Sequence, residues 1–253
     1  MSDIPITNEA SLLLKRAFSK LEVKDLAGAI ADYDLALRMP DISTEQKSEV
    51  YYNRGSTKAI SEDHAGAIRD WDQIIAMQDA PTEMRSGILM MRANSKRQLG
   101  DLAGAISDWD QVLATPDIST EDKVHAYMNR GETRLFLGDL SGAIADFGFV
   151  LAIPEATAEQ RAMTLYSRGV ARGMLGDIAG KLADYSLIIG MPDAPDEHKS
   201  WVRVYRGILN ETLGDMVGAI KDFNKVLTSP RVSTEHRAIA LSHRGTAKWV
   251  CDD

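Results

Sequence analysis

Apolar and small residues return along this chain at helical spacing, and the whole pattern returns every 38 residues. Residues 43–80 can stand for the unit. Val50, Tyr51 and Gly55 lie on one helical stripe, and Ala67, Ile68, Trp71, Ile74 and Ile75 on a second. Polar punctuation separates them. Ser43-Thr-Glu-Gln46 reads as a helix N-cap with Gln46 placed for a capping box, and Ser119-Thr-Glu-Asp122, Thr157-Ala-Glu-Gln160 and Ser233-Thr-Glu-His236 repeat the signal. Asp63 opens the second helix as its N-cap. Aspartate recurs there at Asp25, Asp101, Asp139, Asp177 and Asp215. Pro40, Pro81, Pro116, Pro154, Pro192 and Pro230 follow the second helices and block their continuation.

The clearest mark of the period is a six-residue block, Asp25-Leu-Ala-Gly-Ala-Ile30, repeated at Asp63, Asp101 and Asp139 and in degenerate form at Asp177 and Asp215. A period of this size indicates stacked supersecondary units, each unable to bury its apolar face alone. The pattern predicts a first helix of about 18 residues, a short turn and a second helix of about 14. It places hairpins at about 7–40, 43–78, 81–116, 119–154, 157–192 and 195–230, within a single array spanning 1–253. A last helix over 234–250 has no partner and is expected to cap the stack, with His243 and Lys248 on its wetted side.

Composition then narrows function. The net charge of -8 disfavours binding to nucleic acid or an anionic membrane surface. Cys251 is the only cysteine, which rules out an intrachain disulfide. The segment Met-Ser-Asp-Ile-Pro-Ile-Thr-Asn-Glu has neither a basic start nor an apolar run, so no secretory leader and no membrane span is expected, and a cytoplasmic location is the default.

The pattern resembles the tetratricopeptide repeat, a helical hairpin of about 34 residues with the pattern W-x2-L-G-x2-Y, then A-x3-F, then P. Here it reads Tyr51-x2-Arg54-Gly55-x2-Lys58, then Ala67-x3-Trp71, then Pro81. Ala29…Tyr33, Ala105…Trp109, Ala143…Phe147 and Ala219…Phe223 repeat the second element, and Lys181…Tyr185 departs from it at the alanine. The resemblance implies an all-α, right-handed superhelical solenoid, with the first helices lining a concave surface that binds proteins or peptides. The 38-residue step exceeds the usual repeat of about 34, so longer first helices and a different pitch are expected.

Two sets of columns are expected to hold the hairpins together. Gly55, with counterparts at Gly131, Gly169, Gly207 and Gly245 and alanine at Ala17 and Ala93, stands mid-helix. Glycine there costs about 1 kcal/mol relative to alanine, which implies a close approach of two helix backbones, with the Gly-Ala of the second helix opposite. Arg16, Arg54, Arg92, Arg130, Arg168, Arg206 and Arg244 form a strict column; Asp32, Asp70, Asp108, Asp146, Asp184 and Asp222 form its match. A third column is mostly basic, from Lys20 and Lys58 to Lys248. The arginines read either as an anion-binding stripe or, because their numbers match and their face is inward, as buried partners of aspartates in their own or adjacent repeats. Of the paired acids such as Asp70 and Asp72, one is expected to be structural and one solvated.

The remaining first-helix columns carry the candidate binding residues: Tyr52, Met90, Met128 and Tyr166 in one; Met163 and Trp201 in another; Phe136 and Met174 in a third; and Arg97 for polarity. Methionine and aromatic side chains suit an adaptable protein-binding surface. They equally suit packing between neighbouring first helices. No lysine or arginine stands in the Tyr52 column, so the family's clamp for a terminal carboxylate is not expected. The five histidines lack metal-ligand spacing, no glycine loop fits a phosphate, and no nucleophile has a base at motif spacing. No cofactor, metal or catalytic site is expected. The reading is a non-catalytic scaffold for an extended peptide or partner helix, monomeric or weakly self-associating. The alternative is a self-assembly module joined through ends or edges.

Overall fold

The protein is described by a computed structural model covering residues 9–77, 82–230 and 232–252. The expected start of the first hairpin at residue 7, residue 78 at the end of the second, and Pro81 lie outside these residues. The described residues form thirteen helices and no strand. Packing divides the chain into two compact units, one ending at Ser119 and the other beginning at Thr120.

The first unit contains α1 (Glu9–Glu22), α2 (Leu26–Ala36), α3 (Thr44–Ile60), α4 (His64–Ala76), α5 (Thr82–Gln98) and α6 (Leu102–Leu113). The second contains α7 (Thr120–Leu137), α8 (Leu140–Ala152), α9 (Ala158–Met174), α10 (Ile178–Gly190), α11 (Asp196–Thr212), α12 (Met216–Thr228) and α13 (Thr234–Asp252). Within each unit, odd and even helices pair as hairpins, and each second helix packs on the first helix that follows it. The capping helix runs on through the exposed Cys251 to Asp252, beyond the expected end at residue 250.

One aspartate closes each first helix and opens each second. The backbone N–H of Asp25 donates to the Lys20 carbonyl at 2.9 Å, the six-to-one bond of a Schellman ending, while its carboxylate accepts the Gly28 N–H at 2.9 Å. Asp63, Asp101, Asp139, Asp177 and Asp215 do the same. The residue before the aspartate must adopt the left-handed backbone. Gly100, Gly138, Gly176 and Gly214 do so freely, whereas Lys24 and Glu62 are held there at φ 61° and 66°.

Two further sets of glycines make room for a neighbour. A Cβ at Gly28 or Gly66 would fall 2.0 Å from the carboxylate of its own cap, so these glycines make room for the cap. Gly55, Gly131, Gly169 and Gly207 on the first helices make room for a ring. A Cβ at Gly55 would lie 2.7 Å from Trp71, one at Gly131 2.7 Å from Phe147, and one at Gly207 2.6 Å from Phe223. The expected Gly-Ala partner is therefore replaced by the fully buried aromatic of the second helix, and the close approach is ring to backbone rather than backbone to backbone. Those rings, with Ala29, Ala67, Ala105, Ala143 and Ala219, make up the hairpin cores.

Candidate protein-binding face

The charged columns are structural. Arg54 clasps Asp70 through Nε (2.9 Å) and Nη2, and Lys58 adds a third bond to the same carboxylate at 2.9 Å. Arg16–Asp32, Arg92–Asp108, Arg130–Asp146, Arg168–Asp184 and Arg206–Asp222 repeat the fork, and all six aspartates are buried. The anion-binding alternative falls away for these six arginines, because their donors already face carboxylates.

The second acids are solvent-accessible as expected, at 43% for Asp34 and 48% for Asp72, but they are also paired. Asp34 accepts from Nη1 of Arg54, and Asp72 from Nη1 of Arg92, each joining one hairpin to the next. Burial works against the charge on Arg54 and Arg92, but the two carboxylates around each outweigh it and raise both pKa values. The bond from Arg16 is the largest influence on Asp32; with help from Lys20 it outweighs burial and lowers the pKa to about 2.

The candidate side chains distribute differently in the two units. In the first, Tyr52 is half-buried against the cluster of Ala67, Trp71, Ile74 and Ile88. Met90 and Arg97 are also half-buried. Neighbouring first helices meet here: Gln46 donates to Ser11 at 3.1 Å, and Ser56 donates to the Met91 sulfur at 3.8 Å.

In the second unit, Met128 packs on Val124, Val150 and Ala156. Tyr166 stacks on Tyr185 with centroids 5.7 Å apart and meets the edge of Trp201 at 4.4 Å. Tyr205 lies 5.9 Å from Tyr166 and 6.0 Å from Trp201, and His236 lies 6.3 Å beyond it. One aromatic group thus crosses α9, α11 and α13. Its exposed member is Tyr205, 41% accessible, and Met163, three residues before Tyr166 on α9, is 40% accessible. Phe136 and Met174, at the C-terminal ends of α7 and α9, are 76% and 62% accessible. Burial is the first cause of a raised pKa at both Tyr166 and Tyr185, so both remain neutral phenols at ordinary pH.

The sequence columns brought Tyr166 and Trp201 to notice but missed Tyr205. Its column otherwise reads Lys15, Asn53, Met91, Asn129, Ser167 and His243, so the one tyrosine carried no repeated signal. His243 was expected on the wetted side of the cap. It instead pairs with Glu211 at 2.7 Å and stacks on Phe223. Among the described residues, no three His, Cys, Asp or Glu side chains gather in a way that could hold a metal ion. No described helix is long and apolar enough to cross a membrane. The face offers apolar and aromatic contact surface with scattered polar groups, which is the chemistry of adhesion.

No family model and no curated protein matches the sequence. Solved structures do. The C-terminal part of a TPR repeat-containing protein from Cytophaga hutchinsonii superimposes with a TM-score of 0.71 at 15% identity, over 92% of this chain and 88% of that one. PilW, a type IV pilus biogenesis factor, gives 0.62 at 14% identity over 92% and 98%. YrrB, described as a TPR protein with an unusual peptide-binding site, gives 0.56 at 18% identity over 72% and 85%. With its stacked hairpins and aromatic-filled cores, this chain has the all-α solenoid fold of the tetratricopeptide-repeat proteins.

Proposed function

We propose that the chain is a non-catalytic scaffold that holds an extended peptide or partner helix against the exposed faces of its first helices. The supporting observation is the aromatic group of α9 and α11. Tyr166 and Trp201 pack edge to face, Tyr205 is the accessible ring beside them, and Met163, three residues before Tyr166 on α9, is also accessible. Large amphipathic rings held by their neighbours offer contact area at small entropic cost, the usual make-up of a binding hot spot. Phe136, Met174 and Met128 belong to the same unit and add apolar surface; in the first unit, Tyr52, Met90 and Arg97 form a first-helix face of its own with mixed polarity. The peptide-binding site ascribed to YrrB, which shares the fold, is consistent with this reading.

The test is selection of peptides from a random library on the full-length protein. Affinities are then remeasured on a Met163→Ala plus Tyr205→Ala variant. Both side chains are partly exposed, so the variant should melt within a few degrees of the parent. Loss of about tenfold in affinity, roughly 1.4 kcal/mol, supports the assignment. Peptides that bind parent and variant equally place the binding face elsewhere.

A further inference from the structure

Arg54, Arg92 and Arg206 each turn Nη1 back to the residue 20 positions earlier, where they find Asp34, Asp72 and the Ser186 hydroxyl. For Arg168 that place belongs to Gly148. Its Nε and Nη2 clasp Asp184, its side chain is 16% accessible, and no acceptor for its Nη1 stands among the described residues. A Cβ at Gly148 would meet nothing within 4 Å, so the place is open. The charges are out of balance there too. Arg54 and Lys58 face two carboxylates, Asp70 and Asp34. Arg168 and Arg172 share Asp184, with Asp177 3.7 Å from Arg172.

The surface beside that donor is apolar. Helix α9, which carries Arg168, packs on both α8 and α10. Helical spacing sets Ala145, Gly148, Phe149 and Ala152 on one outer stripe of α8, and Ala183 and Leu187 on the matching stripe of α10. Phe149 and Leu187 are 52% and 54% accessible. Tyr127 of α7 stacks on Phe149 at 4.9 Å and holds the exposed ring in place. In other repeats the same columns carry Arg69, Asp72, Lys221 and Lys225, so the uncharged surface is particular to these two helices. Exposed apolar surface of this kind marks an interaction site, and the charge beside it chooses the occupant.

We propose that the outer face of α8 and α10 docks a partner segment bearing a carboxylate beside an apolar residue. This face belongs to the second helices and is separate from the first-helix face assigned above. The carboxylate accepts from Nη1 of Arg168 and stands where Asp34 and Asp72 stand for Arg54 and Arg92. Its apolar neighbour covers Gly148 and packs on Phe149, a ring already fixed by Tyr127. A basic segment would instead meet Arg168 and Arg172, whose shared Asp184 is already taken by both.

The experiment selects peptides on the full chain from a library with one fixed glutamate among randomised positions. Affinities are then measured by fluorescence anisotropy. Saturable binding is expected, at least tenfold weaker when the glutamate is exchanged for glutamine. A Gly148→Asp chain should bind at least tenfold more weakly, because its new carboxylate occupies Arg168 from within. That chain should melt no lower than the parent, since it restores the bond made by Asp34 and Asp72 and removes a helix-weakening glycine. Phe149→Ala should weaken binding as well, and Met163→Ala plus Tyr205→Ala should leave it unchanged. Absence of any binder, binding indifferent to Gly148→Asp, binding lost instead with Met163 and Tyr205, or a destabilised Gly148→Asp chain would each overturn the assignment. So would sedimentation showing a dimer that Gly148→Asp disrupts, which would give the face to a second copy.

Discussion

Replacing Asp108 by alanine tests the interior charge network most directly. Asp108 is 1% accessible and accepts from Arg92 Nε at 2.8 Å, from Arg92 Nη2 and from Lys96 Nζ at 2.9 Å. The Arg92 and Lys96 side chains are themselves only 12% and 18% accessible. Alanine would leave two poorly hydrated cations, Arg92 with only the half-exposed Asp72 and Lys96 with its carboxylate partner gone. Removing one partner of such a buried group costs about 3–5 kcal/mol. For a chain of this size that corresponds to a melting temperature lower by about 6–20 °C.

Asp72→Ala breaks an ion pair whose acid is 48% accessible and should cost less than about 1 kcal/mol. Urea unfolding followed by circular dichroism gives both values from the shift in midpoint at fixed slope. A chain with Asp108→Ala, Arg92→Met and Lys96→Met should recover much of the loss, because apolar replacements need no counter-charge. The reasoning fails if Asp108→Ala melts within the range of Asp72→Ala, or if the triple variant is less stable than the single.

Glu62→Gly should raise stability by about 1 kcal/mol, since it relieves an L-residue at φ 66° where later repeats carry glycine; thermal melting checks it. Gly207→Ala should lower stability by about 1–2 kcal/mol, because a Cβ 2.6 Å from the buried Phe223 ring overpacks the core by more than the gain in helix propensity. Asp32, with its pKa lowered to about 2 against an unfolded value of 3.8, stabilises the fold fully above the unfolded value. That contribution should drain away as pH falls from about 4 through about 2, and Asp32→Asn should flatten this part of an acid titration.

The fold was legible because its determinants recur at one step. Asp25, Asp63 and their successors must cap a helix in every copy, so the turn announces itself. The arginine and aspartate columns were readable for the same reason: each pair lies within one hairpin, at a fixed separation set by the antiparallel turn. Bonds between hairpins were less legible. Asp34 and Asp72 are solvent-accessible, as read, but their pairing was hidden because the partner belongs to the next repeat and its distance depends on how hairpins stack. The glycines misled because a mid-helix glycine reports only that something lies close. That the neighbour is a ring at Gly55 and a cap carboxylate at Gly66 is a matter of three-dimensional direction. The binding residues were hardest. Tyr166 and Met163 are equally good sequence evidence for adhesion, yet one sits in a stack of rings and the other is an accessible side chain.

The arginines that reach backward, hairpin to hairpin, change in kind along the chain. Arg54 and Arg92 grip carboxylates, Arg206 a serine hydroxyl and Arg244 an amide, while Gly148, at the corresponding place before Arg168, offers no side chain at all. Cohesion between neighbours is therefore ionic in the first unit and neutral or missing at those places in the second. Concentrated salt should slacken the seams closed by Asp34 and Asp72 while sparing the later ones. The same ladder thus gives the protein regions that respond differently to its ionic surroundings, although every hairpin follows one plan.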